Sequence, residues 1–164
     1  MTDPLDFLED LFARAKAAGA DAADGHYVQS VSLSTSQRMG AREDLERSES
    51  LDMSLRVFIG QRQACVASSD LSVAAVEELV ERAVAMAKVV PEDPYCGLAD
   101  PHRLAKTFPD LDLFDSYEPD AEELYGLAAE AEDAALSVSG VTNSEGGGAG
   151  WSQSSVVVAT SHGF

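Results

Sequence analysis

Histidines, cysteines and a glycine cluster are the groups in this sequence that could carry chemistry, and their spacing gives little to build on. The three histidines, His26, His102 and His162, are scattered along the chain. A zinc site needs three or four converging donors, commonly announced by two ligands one helical turn apart. No HExxH or comparable helical pair occurs, so no metal site can be assembled from local spacing. Cys65 lies in the apolar run Gln63–Ala67 and Cys96 in a stretch rich in proline and glycine; neither has a CxxC partner. Both read as reduced thiols of a cytoplasmic protein. The cluster Gly146-Gly147-Gly148-Ala149-Gly150 lacks the Lys-Ser/Thr of a phosphate loop and precedes no helix, so it reads as a flexible hairpin tip. Serine is abundant, yet no G-x-S-x-G turn exposes one as a nucleophile. The paired carboxylates fall on polar helix faces, and Trp151 reads as a core or interface anchor. The sequence therefore assigns no catalytic residue, no cofactor-binding residue and no metal ligand.

The elements that would position any site are clearer. Asp3 to Ala18 predicts an amphipathic helix, with Leu5, Leu8, Leu11, Phe12 and Ala15 at helical spacing, Asp3 as cap and Pro4 in the first turn. Residues 22–36 alternate as a half-buried strand, and Met39-Gly40 makes a turn. The charged run 42–50 predicts an exposed strand, followed by separate strands at 51–59 and 63–68, an antiparallel meander of four. Ser72 to Val89 is the clearest helix, with Val73, Val76, Leu79, Val80, Ala83, Val84 and Ala87 in one stripe. From Pro91 to Pro119 runs a proline-rich connector. Its apolar residues (Tyr95, Leu98, Leu104, Phe108, Leu111, Leu113, Phe114) suggest a strap lying over the core. A third helix spans 120–138, opened by Asp120 and Glu123 at capping-box spacing, with Leu124, Leu127, Ala128, Ala131, Ala135 and Leu136 turned inward. Two strands, 141–145 and 151–160, complete a terminal hairpin. The expected fold is α+β, an antiparallel or mixed curved sheet of about six strands with two main helices packed on one face.

Charge excludes some partners. The net charge is −18, and no Lys or Arg follows Lys106. Binding a nucleic acid depends on Lys and Arg displacing counterions from phosphates, so nucleic acid is excluded as a direct partner. No run approaches 18 consecutive apolar residues, which argues against a membrane span. The opening Met1-Thr2-Asp3-Pro4-Leu5-Asp6 has no basic region before an apolar run and does not read as a secretory signal. The end, Ser161-His162-Gly163-Phe164, reads as a cut.

Several segments together resemble the N-terminal region of the TldD/PmbA family, on its PmbA (TldE) branch. They are Arg56-Val57-Phe58-Ile59-Gly60-Gln61-Arg62-Gln63-Ala64, Ser68-Ser69-Asp70-Leu71-Ser72, the stretch from Pro91 to Asp100, Asp110-Leu111-Asp112-Leu113-Phe114, Thr142-Asn143-Ser144-Glu145-Gly146-Gly147, and Thr160 to Phe164. The resemblance implies one N-terminal domain over residues 1–164, with a larger C-terminal domain absent. It implies a non-catalytic subunit of a cytoplasmic zinc metalloprotease complex acting on unfolded peptides. The family is also called modulator of DNA gyrase. Zinc is expected in the C-terminal domain of a TldD-type partner, on an HExxxH motif for which this chain has no counterpart. The partner would be a TldD-like subunit or a second copy. The alternative reading is a stand-alone acidic interaction module for a gyrase-like or other basic partner.

Overall fold

The computed structural model describes residues 3–163. Its elements are α1 (Pro4–Ala17), β1 (Ala22–Arg38), β2 (Ala41–Ile59), β3 (Arg62–Ser68), α2 (Val73–Val89), a 3-10 turn (Pro101–Arg103), α3 (Ala121–Leu136) and β4 (Gly147–Thr160). The strands form one four-stranded sheet in the order β3-β2-β1-β4. Every adjacent pair is antiparallel. Strands β2 and β3 pair from Met53 opposite Ser68 to Ile59 opposite Arg62. Strands β1 and β2 are joined through Met39 and Gly40, both at positive φ (+49° and +75°), which gives a tight hairpin whose twist matches that of its strands. Along β1 and β4 the numbering runs in opposite senses, with Ser161 N–H donating to the Ala23 carbonyl at 2.8 Å and the Ser30 and Ser154 hydroxyls 2.9 Å apart.

The chain divides into two compact units. The first gathers the residues up to Gln29, Ser50–Pro109 and the residues from Ser155 on. Its core joins Leu8, Leu11, Phe12 and Ala15 of α1 and Val76, Leu79, Val80, Ala83 and Val84 of α2 to Met53, Leu55, Val57, Ala64 and Val66 of the sheet. Each fully buried Leu or Val contributes about 1.5–3 kcal/mol. Asp3 caps α1, accepting from Leu5 N–H at 2.8 Å, and Ser72 caps α2. Gly25 lets α1 approach the sheet: a Cβ there would lie 2.8 Å from the Ser54 carbonyl oxygen and 3.1 Å from Leu8.

The second unit comprises Ser30–Glu49 and Asp110–Ser154. Helix α3 opens with the capping box expected from Asp120 and Glu123, each side chain accepting from the other's backbone N–H. Its buried residues are Leu124, Tyr125, Ala128 and Glu132, whereas Leu127 is exposed, so the inward stripe is rotated from the one expected. The rotation has a polar cause. Glu132 reaches the β1–β2 turn, where its carboxylate accepts from Met39 N–H (2.7 Å), Gly40 N–H (3.0 Å) and the Gln37 side-chain amide (3.1 Å). Tyr125 donates its hydroxyl to the Asp44 carbonyl at 2.9 Å, and Arg42 lies over the Tyr125 ring while bridging to Glu122 at 2.7 and 2.5 Å.

Among the described residues the sheet has four strands, not about six, while three α-helices lie where three were expected. The charged run 42–50 and the apolar run 51–59 are one strand, β2, because no glycine or proline interrupts them and both pair with β1. Residues 141–145 form no strand, so there is no terminal hairpin. The glycine cluster is not a hairpin tip either. From Gly147 it is the start of β4, at a place where a side chain would not fit: a Cβ on Gly147 would come 2.3 Å from the Ala128 carbonyl oxygen. The connector is fastened by polar contacts, with Asp93 N–H donating to the Gln61 carbonyl at 2.7 Å and Glu92 paired with Arg62 at 3.0 Å. Its large apolar side chains do not cover a core as expected: Tyr95, Phe108, Leu111, Leu113 and Phe114 are exposed.

Candidate functional site

The residues singled out for chemistry do not converge. His26 is exposed on β1; His102 sits in the 3-10 turn, its Nδ1 3.1 Å from Asp100; the Nδ1 of His162, after β4, lies 3.1 Å from the Ala99 carbonyl oxygen. Cys65 and Cys96 are free thiols, the first exposed and the second half-buried. Trp151 is half-buried within β4. Among the described residues no three His, Cys, Asp or Glu side chains gather closely enough to hold a metal ion. Their donor set therefore does not fit a zinc ion.

The sheet offers a different kind of site. A sheet edge displays a row of backbone donors and acceptors, and proteins ordinarily blunt it with charge, proline or brevity. Strand β3, one edge, is short, with seven residues, and begins with Arg62. Strand β4, the other edge, runs for 14 residues without a charge or a proline. Within the first unit, its run Ser155-Val156-Val157-Val158-Ala159-Thr160 has strong strand propensity. Because Ser161 N–H points to β1, antiparallel alternation turns the backbone groups of Ala159, Val157 and Ser155 to β1 and those of Val156 and Val158 outward. The Val156 and Val158 side chains are also exposed, so an added strand would meet apolar flanks as well as backbone groups.

At the end of this run lies a cleft of about 490 Å³. Phe12, Ala13, Ala20, Ala22 and Ala23 supply its apolar wall; Glu9, Lys16, Asp21, Ser161 and His162 supply polar groups. Two of these are committed to the fold: Ser161 Oγ accepts from Ala23 N–H at 2.9 Å and Asp21 from Gly60 N–H at 2.7 Å. Glu9 and Lys16 leave one charge of each sign on the rim. His162 is turned to the Ala99 carbonyl oxygen and Ser161 Oγ to the Ala23 amide.

Residues 27–87 match the family model described as PmbA/TldA metallopeptidase domain 1. The chain is 34% identical over 161 residues to the metalloprotease PmbA of Escherichia coli, an alignment that spans 96% of this chain and 36% of the relative. This chain belongs to the PmbA/TldD family. It corresponds to the family's first domain, as the resemblance implied. A PmbA homologue of Haemophilus influenzae is 36% identical over 126 residues, 76% of this chain and 28% of that protein. The chain thus spans about a third of the length of these curated relatives. Two crystal structures share the fold. One is a Bacteroides thetaiotaomicron protein bearing the name modulator of DNA gyrase, with a TM-score of 0.88 at 20% identity over 100% of this chain and 38% of that one. The other is TldE from Thermococcus kodakarensis, with a TM-score of 0.74 at 19% identity over 96% of this chain and 35% of that one.

Proposed function

We propose that this metallopeptidase-family domain is the non-catalytic first domain of a PmbA/TldE-type subunit. In this reading the whole protein works in the cytoplasm, paired with a TldD-type subunit that carries the zinc. The domain's task is to hold unfolded peptide extended on its way to that centre. The observation that supports the task is the β4 edge, with outward backbone groups at Val156 and Val158 and no charge or proline in the strand. Strand addition binds through main-chain hydrogen bonds and makes little demand on sequence, which suits a subunit handling unfolded chains of varied composition. Among the described residues no helix is long and apolar enough to cross a membrane.

The test uses the full-length protein with its TldD-type subunit. Val158→Pro removes one outward donor at an edge position that tolerates proline. It is expected to raise the KM for an unfolded peptide about three- to tenfold, the loss of one hydrogen bond, with kcat unchanged. A photoreactive peptide should label residues 155–160. An unchanged KM together with labelling confined to the rest of the complex would overturn the reading.

A further inference from the structure

Just before α3, in the second unit, acidic and apolar residues alternate: Asp110, Leu111, Asp112, Leu113, Phe114, Asp115, Ser116, Tyr117, Glu118. Leu113 is 86% exposed, Phe114 64%, Leu111 62% and Tyr117 55%. Single exposed apolar residues are ordinary, but four within seven consecutive positions make a patch of the kind that another surface covers. The segment is also tied down. Asp110 accepts from Asp112 N–H at 3.0 Å and Asp115 from Tyr117 N–H at 2.9 Å. At its far end Glu118 pairs with Arg47 at 3.3 Å, Pro119 is buried and Asp120 caps α3. A ridge held in this way loses less conformational freedom on binding than a loose tail would.

Its chemistry specifies what covers it. The apolar side chains need an apolar floor, and the carboxylates between them need Lys or Arg at the rim, since like charges across an interface are strongly unfavourable. The same face of a second copy of this domain is a poor fit. The domain carries a net charge of −18 and no Lys or Arg beyond Lys106, and Arg14, Arg42, Arg47, Arg56 and Arg62 already face carboxylates of their own chain. We infer that residues 110–117 are the docking ridge for the different subunit with which this protein pairs, and that this subunit receives them in an apolar groove rimmed by Lys and Arg. The inference rests on the pairing proposed above and adds to it which surface makes the contact.

The affinity of the full-length protein for its TldD-type subunit can be measured by titration calorimetry with two double variants, Leu113→Ser/Phe114→Ser and Asp112→Lys/Asp115→Lys. Each is expected to weaken association roughly thirtyfold, as losing an interface anchor does. The charge reversal should lose most of its effect at about 0.5 M NaCl, whereas the apolar variant should not. Circular dichroism and Tm should match the parent protein, because these side chains are exposed. Wild-type affinity in either variant overturns the inference alone. Loss of self-association in Leu113→Ser/Phe114→Ser, with pairing to the TldD-type subunit intact, also overturns it, in favour of a second copy. A parent protein that forms no complex with the TldD-type subunit overturns the pairing and the inference together.

Discussion

Glu132 shows how one side chain can fix a local structure. Its carboxylate is buried, and hydrogen bonds from the Gly40 amide above all, then from Met39, Ser144 and Gln37, hold its carboxyl below the ordinary glutamate value of 4.5 against the opposing pull of burial. A carboxylate lowered in the folded state stabilises the fold above that unfolded value and loses the contribution as pH falls through the lower folded one. Thermal melts of the parent protein should therefore lose Tm below pH 4.5, and Glu132→Gln should flatten that part of the profile. At pH 7 the variant should melt roughly 5 °C lower, because the amide replaces one accepting oxygen with an NH2 group that faces a backbone donor. Equal profiles for the two proteins would remove Glu132 from this role.

Between elements, the contact of β4 with α3 depends on an absent side chain. A Cβ at Gly147 would meet the backbone oxygen of Ala128 at 2.3 Å and the Glu132 Cβ at 3.3 Å. Backbone cannot rotate away as a long side chain can, so the strand or the helix must shift. Gly147→Ala should cost about 1–3 kcal/mol in denaturant unfolding, the range for overpacking. Gly126→Ala is the matched control, since nothing lies within 4 Å of a Cβ there. The added methyl should be neutral or stabilising on an exposed helical position. The long hairpin follows the same logic: Glu43, Glu46 and Glu49 would weaken an isolated strand, yet β2 runs unbroken because β1 pairs with it and because Arg42 and Arg47 meet Glu122 and Glu118 near α3.

For the molecule as a whole, 29 acidic against 11 basic residues mean that charge repulsion opposes the compact state. Salt screens this repulsion, and it also screens the ion pairs. The pairs formed by Arg14, Arg42 and Arg47 have both partners exposed, so each contributes little. Screened repulsion should dominate. Raising NaCl from about 0.02 M to about 0.5 M is expected to raise Tm by a few degrees, and a fall in Tm would show that the ion pairs outweigh the repulsion.

The sequence determined on its own what local chemistry dictates: the helices, the caps at Asp3 and Asp120, the turn at Met39-Gly40, and the family through motifs spread from Arg56 to Thr160. The α+β class followed from those periods. Tertiary structure alone decided the rest. A helical wheel could not place Glu132 inward, because burying a carboxylate is favourable only where donors from a distant turn converge on it. The glycine run read as a flexible tip, because its reason for lacking side chains is the close approach of a helix that ends well before it in the chain. The β4 edge was equally hidden. Whether a strand's outer backbone groups face a neighbour or water depends on strand order, which side-chain alternation does not encode.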